Sequence, residues 1–307
     1  MTVDVSVIIT SYNVAAYIAR AVESALEQQG VTLEVIIVDD CSTDETWQII
    51  LGLKDARIKA FQLPRNGGPS VARNKGFSEA TGEWIAVLDG DDMFLPGRLQ
   101  RMIERAHAAK AHVVVDNLLV HREADGAEFP MFPVARFSHV ERLTLAQFIR
   151  ERFTRFDRYT LGYLKPVFSA NFLRRHALEY DPSLRIGEDY RLVAEALALG
   201  AVCVVEPTAG YRYTVRAGSI SHRLSLGTVM QMQAADVAFV ERHLLDNEAL
   251  KAQKRRMFLQ RETRAYILLV EAIKRGALGD VLHVLRICPT AALRLWEPLW
   301  VRLCGQR

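Results

Sequence analysis

Apolar and polar residues alternate in blocks along about the first ninety positions of the chain. Three apolar runs rich in β-branched residues, each the length of one buried strand, are separated by segments with helical periodicity. Every run ends abruptly in polar or acidic residues. The runs are 3–9, 33–38 and 83–88, and they are followed by 10–13, Asp39-Asp40 and Asp89-Gly90-Asp91-Asp92. This pattern predicts three strands whose ends carry the polar side chains.

The segments between these runs have helical signals. Residues 14–28 place Ile18, Val22 and Leu26 on one face, and Gly30 ends the pattern. Residues that favour a first helical turn indicate further helix starts at 42–45, Pro69 and Pro96, and short apolar runs predict strands at 57–63 and 111–115. The resulting β-α-β order predicts an α/β protein with a mostly parallel sheet flanked by helices.

The later part of the chain has a weaker pattern. Residues 120–160 mix charged and aromatic residues without a clean period, so we expect irregular structure and one helix around 143–153. The remaining predictions are a helix over 188–199, strands near 202–206 and 209–215, and helices from about 226 to the end. A helical region is therefore expected to follow an α/β region, with the boundary near 225.

Composition limits the classes of protein. Half of the 307 residues are hydrophobic and 24% are charged, which is enough for a sizeable core. The net charge of +3 gives no argument for nucleic acid as a partner. The four cysteines are scattered without zinc spacing or a disulfide framework, which fits the reducing cytosol. With neither a cleavable signal pattern nor an apolar run of about twenty residues, we expect a cytoplasmic protein without membrane spans.

Three carboxylates, Asp89, Asp91 and Asp92, crowd the end of the third predicted strand. Strand ends in open α/β sheets open into the ligand crevice. Carboxylates this close repel one another unless a positive charge lies among them, and a hard divalent cation that also holds substrate phosphates suits this position. The alternative is an acidic turn that caps the next helix. The first strand–helix junction lacks a glycine-rich fingerprint, which argues against an ordinary dinucleotide-binding dehydrogenase.

The motifs at 7–13, 38–44, 65–74 and 88–92, with the later acidic pair Glu188-Asp189, resemble those of the family 2 glycosyltransferases. The resemblance covers roughly residues 3–221. It implies the GT-A fold, a Rossmann-like α/β architecture with a mostly parallel central sheet flanked by helices, and inversion of the anomeric centre. The implied domains are a catalytic domain at 1–225, divided into a nucleotide-sugar-binding half at 1–115 and an acceptor-binding half at 116–225, and a helical C-terminal region at 226–307.

The resemblance also implies which residues bind the donor. Thr10 and Asp40 are expected at the nucleobase, where Asp40 is able to accept a hydrogen bond from a uracil imide N–H. Asp89 is expected near the ribose, and the Arg73 guanidinium suits phosphate or sugar hydroxyls. The full predicted substrate-binding set is Thr10, Tyr12, Asn13, Asp39, Asp40, Arg73, Asn74, Asp89 and Glu188.

The resemblance gives Asp91 the role of principal ligand of Mg²⁺ or Mn²⁺ and Asp189 the role of catalytic base. Inverting transfer needs a base on the acceptor hydroxyl and an electrophile that stabilises the departing nucleotide diphosphate. Glu188 has an alternative interpretation as a helix-start acid favoured by the helix dipole. Lys165 and Arg185 are expected as secondary acceptor or donor contacts.

The chain is similar to bacterial exopolysaccharide glucosyltransferases of the succinoglycan type. This similarity implies transfer from a UDP-hexose, with UDP-glucose as the candidate donor, to a polyprenyl-diphosphate-linked saccharide. Two alternatives stay open: a sugar nucleotidyltransferase, and a non-catalytic binding protein with the same fold. One departure concerns the pyrophosphate clamp, because Thr214 stands where the family often has arginine. Arg212 and Arg216 are nearby, and the choice between them is open.

The C-terminal third has no catalytic motif. A basic run at 251–256 and a terminal segment at 292–303 that mixes Trp, Leu and Arg suit a helix lying in a membrane interface. Such a helix would place the protein peripherally on the cytoplasmic face of the inner membrane. The alternative is a helical cap that packs on the catalytic domain or on a second subunit of a homo-oligomer.

Overall fold

Strands and helices alternate through the first part of the chain, in a computed structural model that describes residues 3–137, 140–150, 159–216 and 224–296. The chain divides into two units, Met1–Ser219 and Ile220–Arg307. The strands of the first unit are β1 (Val5–Ser11), β2 (Leu33–Asp39), β3 (Ile58–Gln62), β4 (Trp84–Asp89), β5 (Met93–Phe94), β6 (Val113–Arg122), β7 (Ala127–Pro130), β8 (Val167–Ser169) and β9 (Cys203–Val215).

The helices of this unit connect and flank the strands. They are α1 (Ile18–Leu26), α2 (Thr46–Gly52), α3 (Pro69–Glu79), α4 (Arg98–Ala109), α5 (Val134–Phe137), α6 (Leu145–Ile149), α7 (Ala170–Arg175) and α8 (Glu188–Ala198), with a 3₁₀ helix at Leu161–Tyr163. The helix predicted at 14–28 begins later, at Ile18, because a turn with Val14 N–H bound to the Thr46 hydroxyl precedes it. Part of the helix predicted at 143–153 lies outside the described residues.

One sheet joins the described strands in the order β3-β2-β1-β4-β8-β6-β9-β5, with β7 on β6. The four strands from β3 to β4 are all parallel, as predicted. Antiparallel pairs occur in the other half, where the short β8 lies between β4 and β6. Strands β1, β2 and β4 are buried along almost their whole length, which explains why their sequences are mostly apolar.

The two strands predicted near 202–206 and 209–215 are one strand, β9. Its pairing with β6 passes from Asp116↔Glu206 directly to Leu118↔Tyr211, so residues 207–210 form a bulge. Pro207, which lacks an N–H, lies in this bulge, where no ladder bond is lost. Gly210 is required there, because a Cβ would lie 2.5 Å from Arg98 Cγ.

The second unit is helical, as the sequence predicts for this region. It contains α9 (Leu226–Arg242), α10 (Asn247–Lys274), α11 (Leu278–Ile287) and a 3₁₀ segment at Pro289–Trp296. Its small core is formed by Ala265, Leu269, Val284 and Ala291. Within the described residues, no helix combines the length and the apolar character needed to cross a membrane. Most of the terminal segment predicted at 292–303 lies outside the described residues.

Candidate active site

The parallel register brings the three predicted polar groups to one edge of the sheet. Thr10 pairs with Asp89 across β1 and β4, and Ser11 pairs with Asp39 across β1 and β2. Thr10 is half-buried, while Tyr12 is 41% exposed and follows β1 at this edge. The shared edge follows from parallel pairing, in which all carboxyl ends of the strands point the same way.

Asp39 is fully buried and organises the loop that follows β2. One carboxylate oxygen accepts from the Ser11 and Ser42 hydroxyls, and the other accepts from the Ser42 N–H at 2.9 Å and the Gln62 amide at 3.1 Å. Asn13 fastens the same loop from the other side, because its side-chain oxygen accepts from the Thr43 N–H at 2.8 Å. The structure therefore gives both predicted residues contacts that shape the loop around Asp40.

Asp40 links that loop to the start of α3. Its two carboxylate oxygens accept from the Gly67 and Gly68 N–H groups at 2.7 and 2.8 Å. Burial raises the pKa of Asp40, with these two hydrogen bonds and the Arg185 guanidinium opposing the shift. Each carboxylate oxygen has a second lone pair, so the contacts leave room for the predicted nucleobase N–H.

A ring of charged side chains lies beside this edge, formed by Arg73, Lys165, Asp89 and Asp189 and called the charge ring below. Arg73 Nη2 lies 2.7 Å from Asp89 Oδ1, and Arg73 Nη1 lies 3.2 Å from Asp189 Oδ1. Lys165 Nζ lies 2.8 Å from Asp89 Oδ2 and 2.6 Å from Asp189 Oδ2. The structure thus brings together residues from α3, β4, α8 and the segment before β8.

The electrostatics of the charge ring follow from burial and from the surplus of carboxylates. Burial alone would raise the pKa of Asp89, but Lys165 and Arg73 outweigh it and lower that pKa. Glu188 lies 2.7 Å from Arg73 Nη1, yet burial and the neighbouring Asp189 raise the pKa of Glu188. Asp189 and Asp89 hold the pKa of Lys165 well above its usual value despite burial. Both cations therefore stay charged at neutral pH.

Asn74 and Tyr180 support the charge ring from behind. The Asn74 amide donates to the Tyr180 carbonyl and accepts from the Tyr180 N–H, both at 2.8 Å. The guanidinium carbon of Arg73 lies 5.0 Å from the centre of the Tyr180 ring. Asn74, predicted to face the donor, thus uses its amide to fix the backbone of Tyr180, whose ring lies against Arg73.

Asp91 lies at the open side of the site. Its Oδ2 accepts from Arg216 Nε at 2.8 Å, and both side chains are roughly a quarter exposed. The guanidinium groups of Arg20 and Arg216 both stack on the Tyr17 ring, at 4.6 and 5.1 Å. Arg212 faces elsewhere, at 2.6 Å from Glu128. Of the two candidate arginines, it is Arg216 that contacts Asp91.

The residues present fit a divalent cation held jointly with substrate phosphates. Mg²⁺ is commonly bound through one or two carboxylates plus phosphate oxygens, and Asp91 offers such a partly exposed carboxylate. In the part of the chain that the structure describes, no three His, Cys, Asp or Glu side chains converge into a complete metal site. Asp91 would accordingly hold the cation only together with the donor.

Asp92 has a structural position that sequence analysis did not assign. It is buried and accepts from the Tyr211 hydroxyl and the Thr214 N–H, both at 2.7 Å. Burial, Asp91 and Asp89 raise the pKa of Asp92. The Tyr211 hydroxyl also accepts from the Asp89 N–H. Asp92 thus ties the acidic turn to the end of β9, close to Arg216.

Sequence analysis ranked Lys165 only as a secondary contact and overlooked Arg98 and Tyr211. A signal for Lys165 existed, because it is a lone charge inside the short apolar segment 164–168. Arg98 is completely buried and forms a two-pronged pair with Asp116, with both N–O distances at 2.8 Å. No pattern in the sequence indicates that partner, since the two lie on different elements.

Comparison with known proteins identifies the family of this chain. Residues 6–179 match the sequence model of the family described as glycosyl transferase family 2. The succinoglycan biosynthesis protein ExoO of Rhizobium meliloti is 47% identical over 300 residues, which cover 98% of this chain and 86% of that protein. The Escherichia coli protein WfaP, named a UDP-Glc:α-D-GlcNAc-diphosphoundecaprenol β-1,3-glucosyltransferase, is 37% identical over 119 residues, or 39% of this chain and 47% of its own length.

A solved structure shows the same fold. Residues 1–349 of TarS from S. aureus, crystallised with UDP-GlcNAc, superpose with a TM-score of 0.65 at 21% identity, over 94% of this chain and 81% of that chain. This likeness confirms the predicted GT-A fold with its mostly parallel sheet. The family match and the identity to ExoO confirm the resemblance found in the motifs. The protein is therefore a glycosyltransferase and belongs to glycosyl transferase family 2.

Proposed function

We propose that the protein is a metal-dependent inverting hexosyltransferase that moves a sugar from a UDP-sugar to a lipid-linked saccharide in exopolysaccharide synthesis. UDP-glucose is the proposed donor. The observation that carries the proposal is the charge ring, in which the proposed base Asp189 and the donor-side carboxylate Asp89 share Arg73 and Lys165. The chemistry of inversion needs an acceptor-side base fixed relative to the donor in this way.

In the proposed reaction, the Asp189 carboxylate accepts the proton of an acceptor hydroxyl. That oxygen forms a bond to the anomeric carbon while the bond from the anomeric carbon to the diphosphate oxygen breaks, and the diphosphate leaves with the electron pair. A divalent cation at Asp91 would supply charge stabilisation for the leaving diphosphate. Asp40 accepts from the uracil N–H, and Asp39 holds the loop that carries Asp40.

Arg216 is the proposed second charge at the diphosphate. It contacts Asp91 at 2.8 Å, so it lies where the diphosphate would meet the cation. A guanidinium matches phosphate oxygens with two parallel hydrogen bonds. Arg212, whose guanidinium lies 2.6 Å from Glu128, is the less suitable of the two arginines.

The acceptor and pathway are proposed from the relatives. ExoO is named for succinoglycan biosynthesis, and the name of WfaP specifies UDP-glucose and an undecaprenol-diphosphate acceptor. A polyprenyl-diphosphate-linked saccharide is therefore the acceptor that we propose. The alternative of a sugar nucleotidyltransferase is disfavoured, because residues 10–13 are not the glycine-rich basic loop that such enzymes usually have.

The test is release of nucleotide diphosphate from a panel of UDP- and GDP-sugars with Mg²⁺ or Mn²⁺, with and without a membrane lipid extract. We expect turnover of one UDP-hexose that the lipid extract stimulates and that Asp91→Ala and Asp189→Asn abolish. Asp125→Asn is the matched control, since Asp125 forms an exposed pair with Arg122. A preference for GDP-sugars would contradict the proposed nucleobase, uracil. Absence of both binding and turnover for every donor would favour a non-catalytic protein with this fold.

We further propose that the C-terminal unit contacts an anionic membrane surface. In α11, Leu278 and Leu282 are 77% and 68% exposed, and Ile287 is 70% exposed. Arg275 and Arg286 belong to the same region, and this mixture of exposed apolar and basic side chains suits the bilayer interface. Flotation with anionic vesicles tests the proposal against Leu278→Ser/Leu282→Ser. Equal flotation of the variant, or self-association in place of vesicle binding, would contradict it.

A further inference from the structure

Lys165 is an ammonium group placed inside the protein. Its side chain is 7% exposed. The residue follows the 3₁₀ helix Leu161–Tyr163 in an otherwise apolar segment. A lysine is rarely buried in this way unless its charge is paired, because removing an ammonium group from water costs on the order of several kcal/mol. The two carboxylates at 2.6 and 2.8 Å supply that pairing.

The backbone of Lys165 is anchored separately from its side chain. Arg98 Nη2 donates both to the Lys165 carbonyl and to Asp116 Oδ1, while Nε donates to Asp116 Oδ2. The guanidinium carbon lies 4.6 Å from the Phe94 ring centre and 5.4 Å from that of Tyr211. The buried Arg98 guanidinium thus fixes the backbone from which the Lys165 side chain extends, and the two carboxylates fix the position of its ammonium group.

The charge ring divides the oxygens of its two aspartates evenly. Each aspartate gives Oδ1 to Arg73 and Oδ2 to Lys165. The two contacts on Asp189 are unequal, however, at 3.2 Å to Arg73 and 2.6 Å to Lys165. Arg73 is also shared with Glu188 at 2.7 Å. Lys165 therefore makes the shorter contact with Asp189, and its ammonium group bridges Asp189 and Asp89.

We propose that Lys165 is a positioning residue that fixes the carboxylate of Asp189, the acceptor-side base, relative to the donor-side carboxylate of Asp89. The inference rests on the proposed function and assigns the residue that sets the geometry of its base. Lys165 touches no reacting atom in this account. It acts through Asp189, whose other charged and titratable neighbours are Arg73, Glu188, Asp89 and Tyr180.

Two consequences separate positioning from general structural support. A base held about 1 Å out of place loses on the order of 100-fold in rate, so removal of Lys165 lowers kcat more than it changes donor affinity. A positioning role also predicts partial rescue, because a different cation at this place restores the charge that holds Asp189, whereas an uncharged side chain does not.

The experiment compares Lys165→Met and Lys165→Arg with the full-length wild-type protein. Lys75→Met is the matched control, because Lys75 forms a half-exposed pair with Glu79 within α3. The measurements are kcat and KM for the donor identified in the panel, and UDP affinity. Cooperative thermal unfolding of each variant shows that it is folded.

For Lys165→Met we expect kcat to fall about 100-fold, because Asp189 loses its shorter contact and its fixed position. UDP affinity should change less than about threefold. Lys165→Arg should lose only about tenfold in kcat, since it restores the charge but a planar guanidinium does not reproduce the ammonium geometry.

A kcat in Lys165→Met within about threefold of the wild type would overturn the proposal, as would a loss confined to UDP affinity or a loss in Lys165→Arg as large as that in Lys165→Met. If Lys165→Met does not fold, an unchanged kcat in Lys165→Gln has the same meaning. Failure of the proposed function itself gives a different pattern. In that case the wild-type protein turns over no donor, or Asp189→Asn remains active.

Discussion

The Arg98–Asp116 pair and the charge ring are built from the same kinds of side chain, yet they differ in balance and exposure. Arg98 and Asp116 are both 0% exposed and pair through a two-pronged contact of Nε and Nη2 with the two carboxylate oxygens. The charge ring with Glu188 has three carboxylates for two cations, and Asp89 is 24% exposed. A closed pair fixes backbone positions, whereas an incompletely neutralised group remains able to accept a proton. The difference suggests which cluster supports the fold and which performs chemistry.

The largest expected effect is on the closed pair. Asp116→Ala leaves the Arg98 guanidinium buried without its partner, so we expect a loss of about 3–5 kcal/mol in the free energy of unfolding. Urea denaturation measures it. Asp125→Ala, which breaks a fully exposed pair, should change the stability far less. A change that small in Asp116→Ala would break the comparison, because the pair would then contribute no more than a surface contact.

Glu34 is a second buried charge that is held by specific partners. Its carboxylate accepts from the Ser6 hydroxyl at 2.6 Å and the Thr81 N–H at 2.7 Å, and it pairs with Lys59. Although burial opposes the shift, Lys59, Ser6 and Thr81 lower the pKa of Glu34 from 4.5 to about 2. We expect Glu34→Gln to cost about 1–3 kcal/mol at pH 7, because several hydrogen bonds to a buried charge are weakened.

The pH dependence of that cost has a definite sign. Because the folded-state pKa is lowered, the contribution of Glu34 is fully present above pH 4.5 and is lost as the pH falls toward about 2. Urea titrations at pH 7 and pH 3 should show the gap between Glu34→Gln and the wild type shrinking at the lower pH. Glu79→Gln, in a half-exposed pair with Lys75, should show little gap at either pH. A gap that widens in acid would contradict this account.

A smaller effect is expected at the open side of the site. Arg216→Gln should weaken UDP binding about tenfold in the presence of Mg²⁺, since one charged contact to a diphosphate contributes roughly 1.5–3 kcal/mol at most. Calorimetric titration with UDP measures it. Arg212→Gln is the matched control on the same strand, because that arginine pairs with Glu128. Equal losses in both variants would show that the difference in their surroundings has no bearing on the diphosphate.

The sequence predicted most of the sheet edge and only part of the charge ring, for a physical reason. Parallel strands align their carboxyl ends, so the apolar runs ending at Thr10, Asp39 and Asp89 were enough to predict that these residues meet. Arg73 and Asp189 were found through motifs. The contacts of Lys165 with the two aspartates were not predicted, because they depend on the position of the short antiparallel β8. No hydrophobic periodicity in the sequence indicates that strand.

The packing of β9 was equally hidden. Two separate strands were predicted, but the bulge at 207–210 keeps one continuous strand and makes room for Arg98 beside Gly210. A single sequence does not reveal such a contact, since the side chains come from distant elements. The roles predicted for the individual site residues stay predictions that the variants above address.

The central claim is that Asp189 acts as the base within the charge ring, and one comparison tests it most directly. UDP affinity, cooperative unfolding and sugar transfer are measured in parallel for the wild type and Asp189→Asn. The account predicts UDP affinity within about threefold, a folded variant, and transfer reduced by about 10²–10⁴-fold, the usual contribution of a general base. Retained transfer in Asp189→Asn, or a loss of UDP binding as large as the loss of transfer, would contradict it.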